Sequence, residues 1–311
     1  MSDPITTLHV TNGDSVLYLF KKAGIGGTHL AWRDSLNEGP VPAGLGLAEL
    51  SATRAGYLSQ RGYANPIKII RDFKVRDAAF ERARGFREIV LWFEHDLYDQ
   101  LQLLQVMTAL EDLKVDASRV TLIQSDHYLG MMTTDELMRL LPRRRNATPA
   151  TFKSARRGWE RFTSASPSEH FAAAREDAIG LPFLKAAMRR LCEEYPYVGD
   201  GLSRSQRQAL AAVRDGPASN EDLFFRAQTR EEAAFLGDTA FARILADLRE
   251  PECALIAGVE GSLALTPLGE RVLAGEADWL EIAGIDRWIG GVHLLADCVV
   301  RWDEESERLG S

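Results

Sequence analysis

The stretch "EIVLWFEHDLYDQ", residues 88–100, decides the fold class. Its first half, "EIVLWF" (88–93), is a nearly continuous apolar run of strand length, the pattern of a strand buried on both faces. Downstream, "YDQLQLLQVMTALEDL" (98–113) repeats apolar residues at helical spacing, and "RVTLIQ" (119–124) reads as another strand. Upstream, "ITTLHVT" (5–11) and "THLAW" (28–32) are strand-like, while "SVLYLFKKAG" (15–24) and "AELSATRAGYLSQRGY" (48–63) are helix-like. "IKII" (67–70) reads as a further strand or as loop. Strands alternating with helices imply right-handed βαβ units and a mainly parallel sheet. Residues 1–130 are therefore expected to form a Rossmann-like, three-layer α/β domain.

The remainder changes character twice. Residues 131–198 read as a helical bridge, with "TDELMRLLPRRR", "TPATFKSARRGWERF" and "LPFLKAAMRRLCEEYP". Residues 199–278 read as a winged-helix-like domain: three helices, a hairpin around Glu-Gly-Ser, and "PLGERVLAG". Ser203 and either Ser219 or Asn220 are the expected N-caps of the first two helices. Residues 279–311 are expected to pack as a tail on the rest.

Composition limits the function classes. The 311 residues are 45% hydrophobic, enough for a sizeable core, and carry a net charge of −8. That charge gives no overall positive field for nucleic acid or an anionic membrane. Cys192, Cys253 and Cys298 are too few and too scattered for a disulfide framework or a zinc site. No leader pattern or membrane-length apolar run is visible, so a cytoplasmic protein is expected.

In an open parallel sheet, ligands bind beyond the carboxyl ends of the strands. Polar groups follow four strands here: Asn12, Gly13 and Asp14; Arg33 and Asp34; Glu94, His95, Asp96 and Asp99; and Asp126 and His127. Gly13 would allow close backbone approach or positive φ, and the next helix would offer its N-terminus to an anion. Asp14 could instead cap that helix. Arg33 could clamp a phosphate or carboxylate, or pair structurally with Asp34 or Asp96. Glu94, His95 and Asp96 are the candidate catalytic group, able to act as acid and base. They could also ligate a divalent ion, but the spacing matches no familiar ligand pattern, so no metal is expected. Asp96 could equally cap its helix, with Asp99 complementing the helix dipole. His127 is a candidate second base.

Two segments bear on nucleic acid. Arg139, Arg143, Arg144, Arg145, Lys153, Arg156, Arg157 and Arg161 form a basic run near Trp159 and Phe162. Against this, residues 200–276 hold eight Arg, no Lys and thirteen acidic residues. Its third helix, "DTAFARILADLRE", offers only Arg243 and Arg249 as cations, which favours a packing module over a DNA reader.

"HVTNGDSV", "WRDSLNEGPVP" and "LWFEHDLYDQLQLLQ" together resemble the opening motifs of a bacterial family known only as a domain of unknown function. "LPFLKAAMRRLCEEYP", "FLGD" and "IDRWIGGVHL" resemble that family's C-terminal extension. The resemblance implies one recurring domain and brings no activity or catalytic residue with it.

Three readings follow. The first is an enzyme or binding domain for a small anionic ligand, phosphorylated or nucleotide-like, at the sheet's carboxyl edge, its cofactor unidentified. The second is a transcription-linked regulator using the winged helix. The third is an interaction protein that forms a homodimer through the C-terminal region, burying Trp288, Ile289 and Leu294.

Overall fold

The computed structural model describes residues 6–297 and 299–310, so Cys298 and Ile5, the first residue of the expected opening strand, lie outside the described residues. The chain begins β1 (Thr7–Thr11), α1 (Asp14–Ala23), β2 (Thr28–Ala31), α2 (Leu47–Gln60) and α3 (Pro66–Phe80). It continues β3 (Glu88–Glu94), α4 (Leu97–Asp112), β4 (Val120–Ser125), α5 (Thr134–Leu140) and β5 (Arg145–Asn146). The sheet order is β2-β1-β3-β4-β5. The first four strands are parallel, and the two-residue β5 pairs antiparallel to β4.

Alternation along the strands builds the layers. Leu8, Val10, Ile89, Leu91 and Phe93 point to one face, where they pack with Leu50 of α2, Phe80 of α3, and Leu101 and Leu104 of α4. Val90, Trp92 and Ile123 point to the other, against Val16 and Phe20 of α1 and Leu137 of α5. This is the Rossmann-like α/β sandwich expected from the sequence. From β1 the chain goes to β2 on one side, and from β3 to β4 on the other. The β1/β3 boundary is thus the topological switch point, where such sheets open a crevice.

"IKII" is neither strand nor loop: it lies in the first turns of α3. Pro66 opens that helix and the Asn65 side chain accepts from Ile67 N at 2.9 Å. Ile69 is buried while Ile67 and Ile70 face outward. Four residues were too short a window to reveal this periodicity.

The bridge region contains α6 (Pro149–Thr163), α7 (Pro167–Ala173) and α8 (Leu184–Cys192). Its Phe152, Phe162, Leu184 and Met188 belong to the same core as the sheet. Half of the basic run is paired internally. Arg144 binds Glu88, Arg156 binds Glu111 and Asp112, and Arg157 and Arg161 bind Glu176.

Next come α9 (Arg204–Arg214), α10 (Asn220–Gln228), α11 (Asp238–Asp247), β6 (Ile256–Ala257), β7 (Ala264–Leu265) and α12 (Pro267–Leu273). These elements follow the expected order and share a separate core that includes Leu210, Leu223, Phe241, Leu255 and Val272. Ser203 and Ser219 are the N-caps of α9 and α10, accepting from Gln206 N and Asp222 N.

The chain ends with α13 (Trp279–Ala283), β8 (Asp286–Ile289), β9 (Val292–Leu295), β10 (Arg301–Asp303) and β11 (Arg308–Gly310). Ile289, Val292 and Leu294 return to the core of the sheet domain. A Cβ on Gly291 would lie 1.8 Å from Thr163 O, so only glycine lets the β8–β9 turn approach α6. Ile289 and Leu294 are therefore buried inside their own chain, and Trp288 stacks on His293. This segment supplies no reason for a dimer.

The loop after β2 is held from within. Arg54 has no exposed side-chain surface and binds Asp34 Oδ1 at 3.0 Å. It also donates to Ser35 O at 2.6 Å and Glu38 O at 2.7 Å. Arg76 sits behind the same carboxylate, 4.0 Å from Asp34 Oδ2. Removing one partner of a buried ion pair leaves a desolvated charge, a loss of about 3–5 kcal/mol. Arg54→Met should reduce unfolding free energy in urea by an amount of that order, and a loss below about 1 kcal/mol would contradict the role given to this pair.

Candidate functional site

The switch point gathers Asn12 from the end of β1 with Glu94, Asp96 and Asp99 from β3 and the start of α4. Asp96 is the N-cap of α4, accepting from Asp99 N at 3.1 Å. That turn folds Asp99 back under the strand end, where Asp99 Oδ1 accepts from Glu94 N at 2.7 Å. Asp99 Oδ2 accepts from Asn12 Nδ2 at 2.7 Å, which ties β1 to α4 across the crevice. Glu94 Oε1 accepts from Leu129 N at 2.7 Å. Gln100 Nε2 donates to Glu94 O at 2.6 Å and fixes the strand end.

One oxygen from each of Glu94, Asp96 and Asp99 lies within 4.8 Å of the others. All three residues are buried, at 5%, 3% and 1% exposure. They border a cavity of about 350 Å³ shared with Asn12, Tyr98 and Tyr128. Its far wall is Ala234–Ala240, the segment leading into α11. Tyr128 Oη donates to Ala234 O at 2.9 Å and pins that wall to the sheet edge. Among the described residues, no Lys, Arg or His borders this cavity.

Burial without a counter-charge disfavours ionised carboxylates. Burial, and then the neighbouring Asp99, push Glu94 up to about 8. Burial pushes Asp99 up to about 7, against the opposing hydrogen bonds from Glu94 N and Asn12. Asp96 is raised well above the usual carboxylate range, by burial first and Asp99 second. Three hard oxygen donors at this separation can hold a divalent cation, with open positions left for water or ligand.

No protein-family model matches the chain, and no curated protein does either.

The other candidate residues lie apart from this group. Gly13 is extended, at φ −158°, and a Cβ there would meet nothing within 4 Å, so neither positive φ nor close approach explains it. Gly13 is also the N-cap position of α1; Asp14 stands one residue inside and makes no cap. Asp14 instead pairs with Arg33 at 2.5 Å on the surface. Arg33 adopts φ 55°, which turns it outward, and it pairs with neither Asp34 nor Asp96. Asp34 is buried on Arg54.

His95 leaves the group as well. Its ring lies 5.4 Å from that of Tyr128 and 6.0 Å from that of Phe183, and it borders a separate cavity with Asp126 and His127. Burial lowers its pKa, so it is neutral near pH 7. His127 is exposed beside Asp126. The wall at 234–240 was not among the candidates, although "FLGD" (235–238) was the signal that could have marked it.

The pH consequence has a definite sign. Between the ordinary carboxylate range near 4 and about 8, the folded state keeps protons that the unfolded chain has released. In chelator, stability should therefore fall as pH rises above the histidine range, where the buried His9 and His170 no longer oppose it, by ~2 kcal/mol or more between pH 6.5 and pH 8.5. Asp99→Asn should flatten the slope. Urea unfolding of both proteins at the two pH values measures it; equal slopes would contradict the assignment.

Proposed function

We propose that this protein binds a small anionic ligand, phosphorylated or nucleotide-like, at the carboxyl edge of the sheet. Binding uses a divalent cation held by Glu94, Asp96 and Asp99, and the chemistry is hydrolytic or group transfer. One observation carries the reading: three buried carboxylates converge on a cavity whose described lining has no basic side chain. An anion could not enter such a space alone, but a divalent cation would reverse its sign. When bound, such a cation polarises a phosphoryl oxygen and makes water a better nucleophile.

The residues have distinct roles. Asn12 holds Asp99 with its carboxylate turned toward Glu94 and Asp96. The backbone at Leu129 and Gly130 holds the Glu94 carboxylate at the cavity edge, Leu129 N donating to Oε1. Tyr98 and Tyr128 form apolar sides with polar tips.

The C-terminal elements, read as winged-helix-like, serve here as the far wall of the cleft and not as a DNA reader. The helix that would enter a groove, α11, faces the sheet domain, where its Asp247 pairs with Arg61 at 3.0 Å. Membership in the bacterial family of unknown function that the motifs resemble would add no activity to this reading. Among the described residues, no helix is long and apolar enough to cross a membrane.

At pH 8, Mn²⁺ or Mg²⁺ should raise the melting temperature of the wild-type protein by several degrees. The shift should disappear in Asp96→Asn and Asp99→Asn. A panel of phosphomonoesters and nucleotides, assayed for phosphate release with and without the cation, should give cation-dependent turnover lost in the same variants. Absence of any cation-induced shift in the wild type would remove the basis of the reading.

A further inference from the structure

A second cavity, of about 440 Å³, lies between the sheet domain and the C-terminal elements. It adjoins the carboxylate cavity, sharing Asn37, Phe235, Leu236 and Ala240 as walls. Its character is opposite. Arg61, Arg243 and Arg287 all border it, and the Nε of each is cut off from solvent with no hydrogen-bond partner.

These arginines are not equally engaged. Arg61 is neutralised by Asp247. Arg243, from α11, makes no hydrogen bond or ion pair among the described residues and rests over the Tyr63 ring at 4.2 Å. Arg287, from β8, donates through Nη2 to the Glu194 carbonyl and has no carboxylate partner among the described residues. Neither Nη atom of Arg243, nor Nη1 of Arg287, is sealed from solvent as the Nε atoms are, although the Arg287 guanidinium otherwise lies deep among protein atoms.

The acidic side chains around them are mostly committed. Glu194 pairs with Arg190 at 2.8 Å, and Asp286 with His293 at 2.7 Å. Glu38 remains. Its Oε1 is buried without a partner, its Oε2 accepts from Tyr57 Oη at 3.3 Å, and burial raises its pKa. The cavity thus presents two guanidinium groups with no carboxylate in salt-bridge contact among the described residues, Glu194 and Asp247 acting on Arg287 and Glu38 on Arg243 only from farther off. Fork-shaped, permanently charged donors of this kind match phosphate oxygens.

We propose that Arg243 and Arg287 form the anion subsite of the ligand, binding a phosphate group, free or as the end of a monoester, while the rest of the ligand passes along Asn37, Phe235, Leu236 and Ala240, which line both cavities, toward the carboxylates. This deepens the function proposed above and rests on it for the second half of the ligand only. The anion is thereby assigned to the adjoining cavity and not to Asn12, Gly13 and Arg33, where the residue order suggests it. The anion subsite would then be built by α11 and β8, and the cation subsite by β1, β3 and α4.

The probes are inorganic phosphate and phenyl phosphate, titrated calorimetrically into the full chain in chelator. Binding of either to the wild type is expected, and the preferred probe tells a free anion from an ester. Arg243→Gln and Arg287→Gln should each weaken it roughly tenfold or more, as for loss of a charged hydrogen bond. Arg243→Lys and Arg287→Lys, which keep the charge and lose the fork, should fall between and serve if a Gln variant does not fold. Asp99→Asn should bind phosphate as well as wild type in chelator while losing Mn²⁺ binding. Failure of the anion subsite is thereby separated from failure of the cation site. The proposal is overturned if neither probe binds the wild type, or if binding is unchanged in the arginine variants.

Discussion

Arg54 holds together the region where the sheet edge, both cavities and the C-terminal hairpin meet. The loop that follows β2 turns the carbonyls of Ser35 and Glu38 inward, where water cannot satisfy them. A buried carbonyl without a donor is costly, and a planar guanidinium can serve several at once. Asp34 then pairs with that guanidinium and orients it in the interior. From this anchored loop, Ser35 and Asn37 reach one cavity and Asn37, Glu38 and Gly39 the other. The next residue to be tied down is Val41, whose amide donates to Gly290 O at 2.8 Å, at the hairpin turn. A single desolvated cation thereby sets the relative placement of surfaces that are remote in sequence.

The two cavities divide charge between them. Carboxylates gather where β1 and β3 diverge, and guanidinium groups gather on α11 and β8. Brought directly together, these groups would neutralise one another as a buried salt bridge. The shared wall of Asn37, Phe235, Leu236 and Ala240 stands between the two sets. The carboxylates answer their isolation by holding protons, which a bound cation would displace, while the guanidinium groups stay charged.

How much of this was legible in the sequence depends on the range of the interaction. The β3–α4 segment was legible because a strand covered on both faces must be apolar throughout, and a helix packed on one must repeat every three to four residues. Glu94, Asp96 and Asp99 were legible as polar residues at a strand end. Their convergence was not, because the capping turn at Asp96 folds Asp99 back beneath Glu94. Arg33 misled because a positive φ, invisible in a residue string, points it to Asp14. His95 follows Glu94 in the chain, yet its ring lies by Tyr128 and Phe183 and borders another cavity, so neighbours in sequence part in space. The helical nature of "IKII" was hidden by reading four residues of a fifteen-residue helix. The arginines could not be assigned at all, since no local pattern tells which loop covers a crevice more than a hundred residues away.

The switch-point geometry also orders events in time. Asn12, Glu94, Asp96 and Asp99 lie within the first third of the chain, while the wall that closes over them begins at Ala234. During synthesis from the N-terminus, the carboxylates exist for more than a hundred residues of elongation before their cover does. The Ala234–Ala240 wall and the Ile289, Val292 and Leu294 side chains that complete the sheet core are both supplied last. The cleft is therefore finished late, by the last third of the polypeptide, and a chain cut before Ala234 lacks both the cover of its carboxylates and part of the packing beneath them.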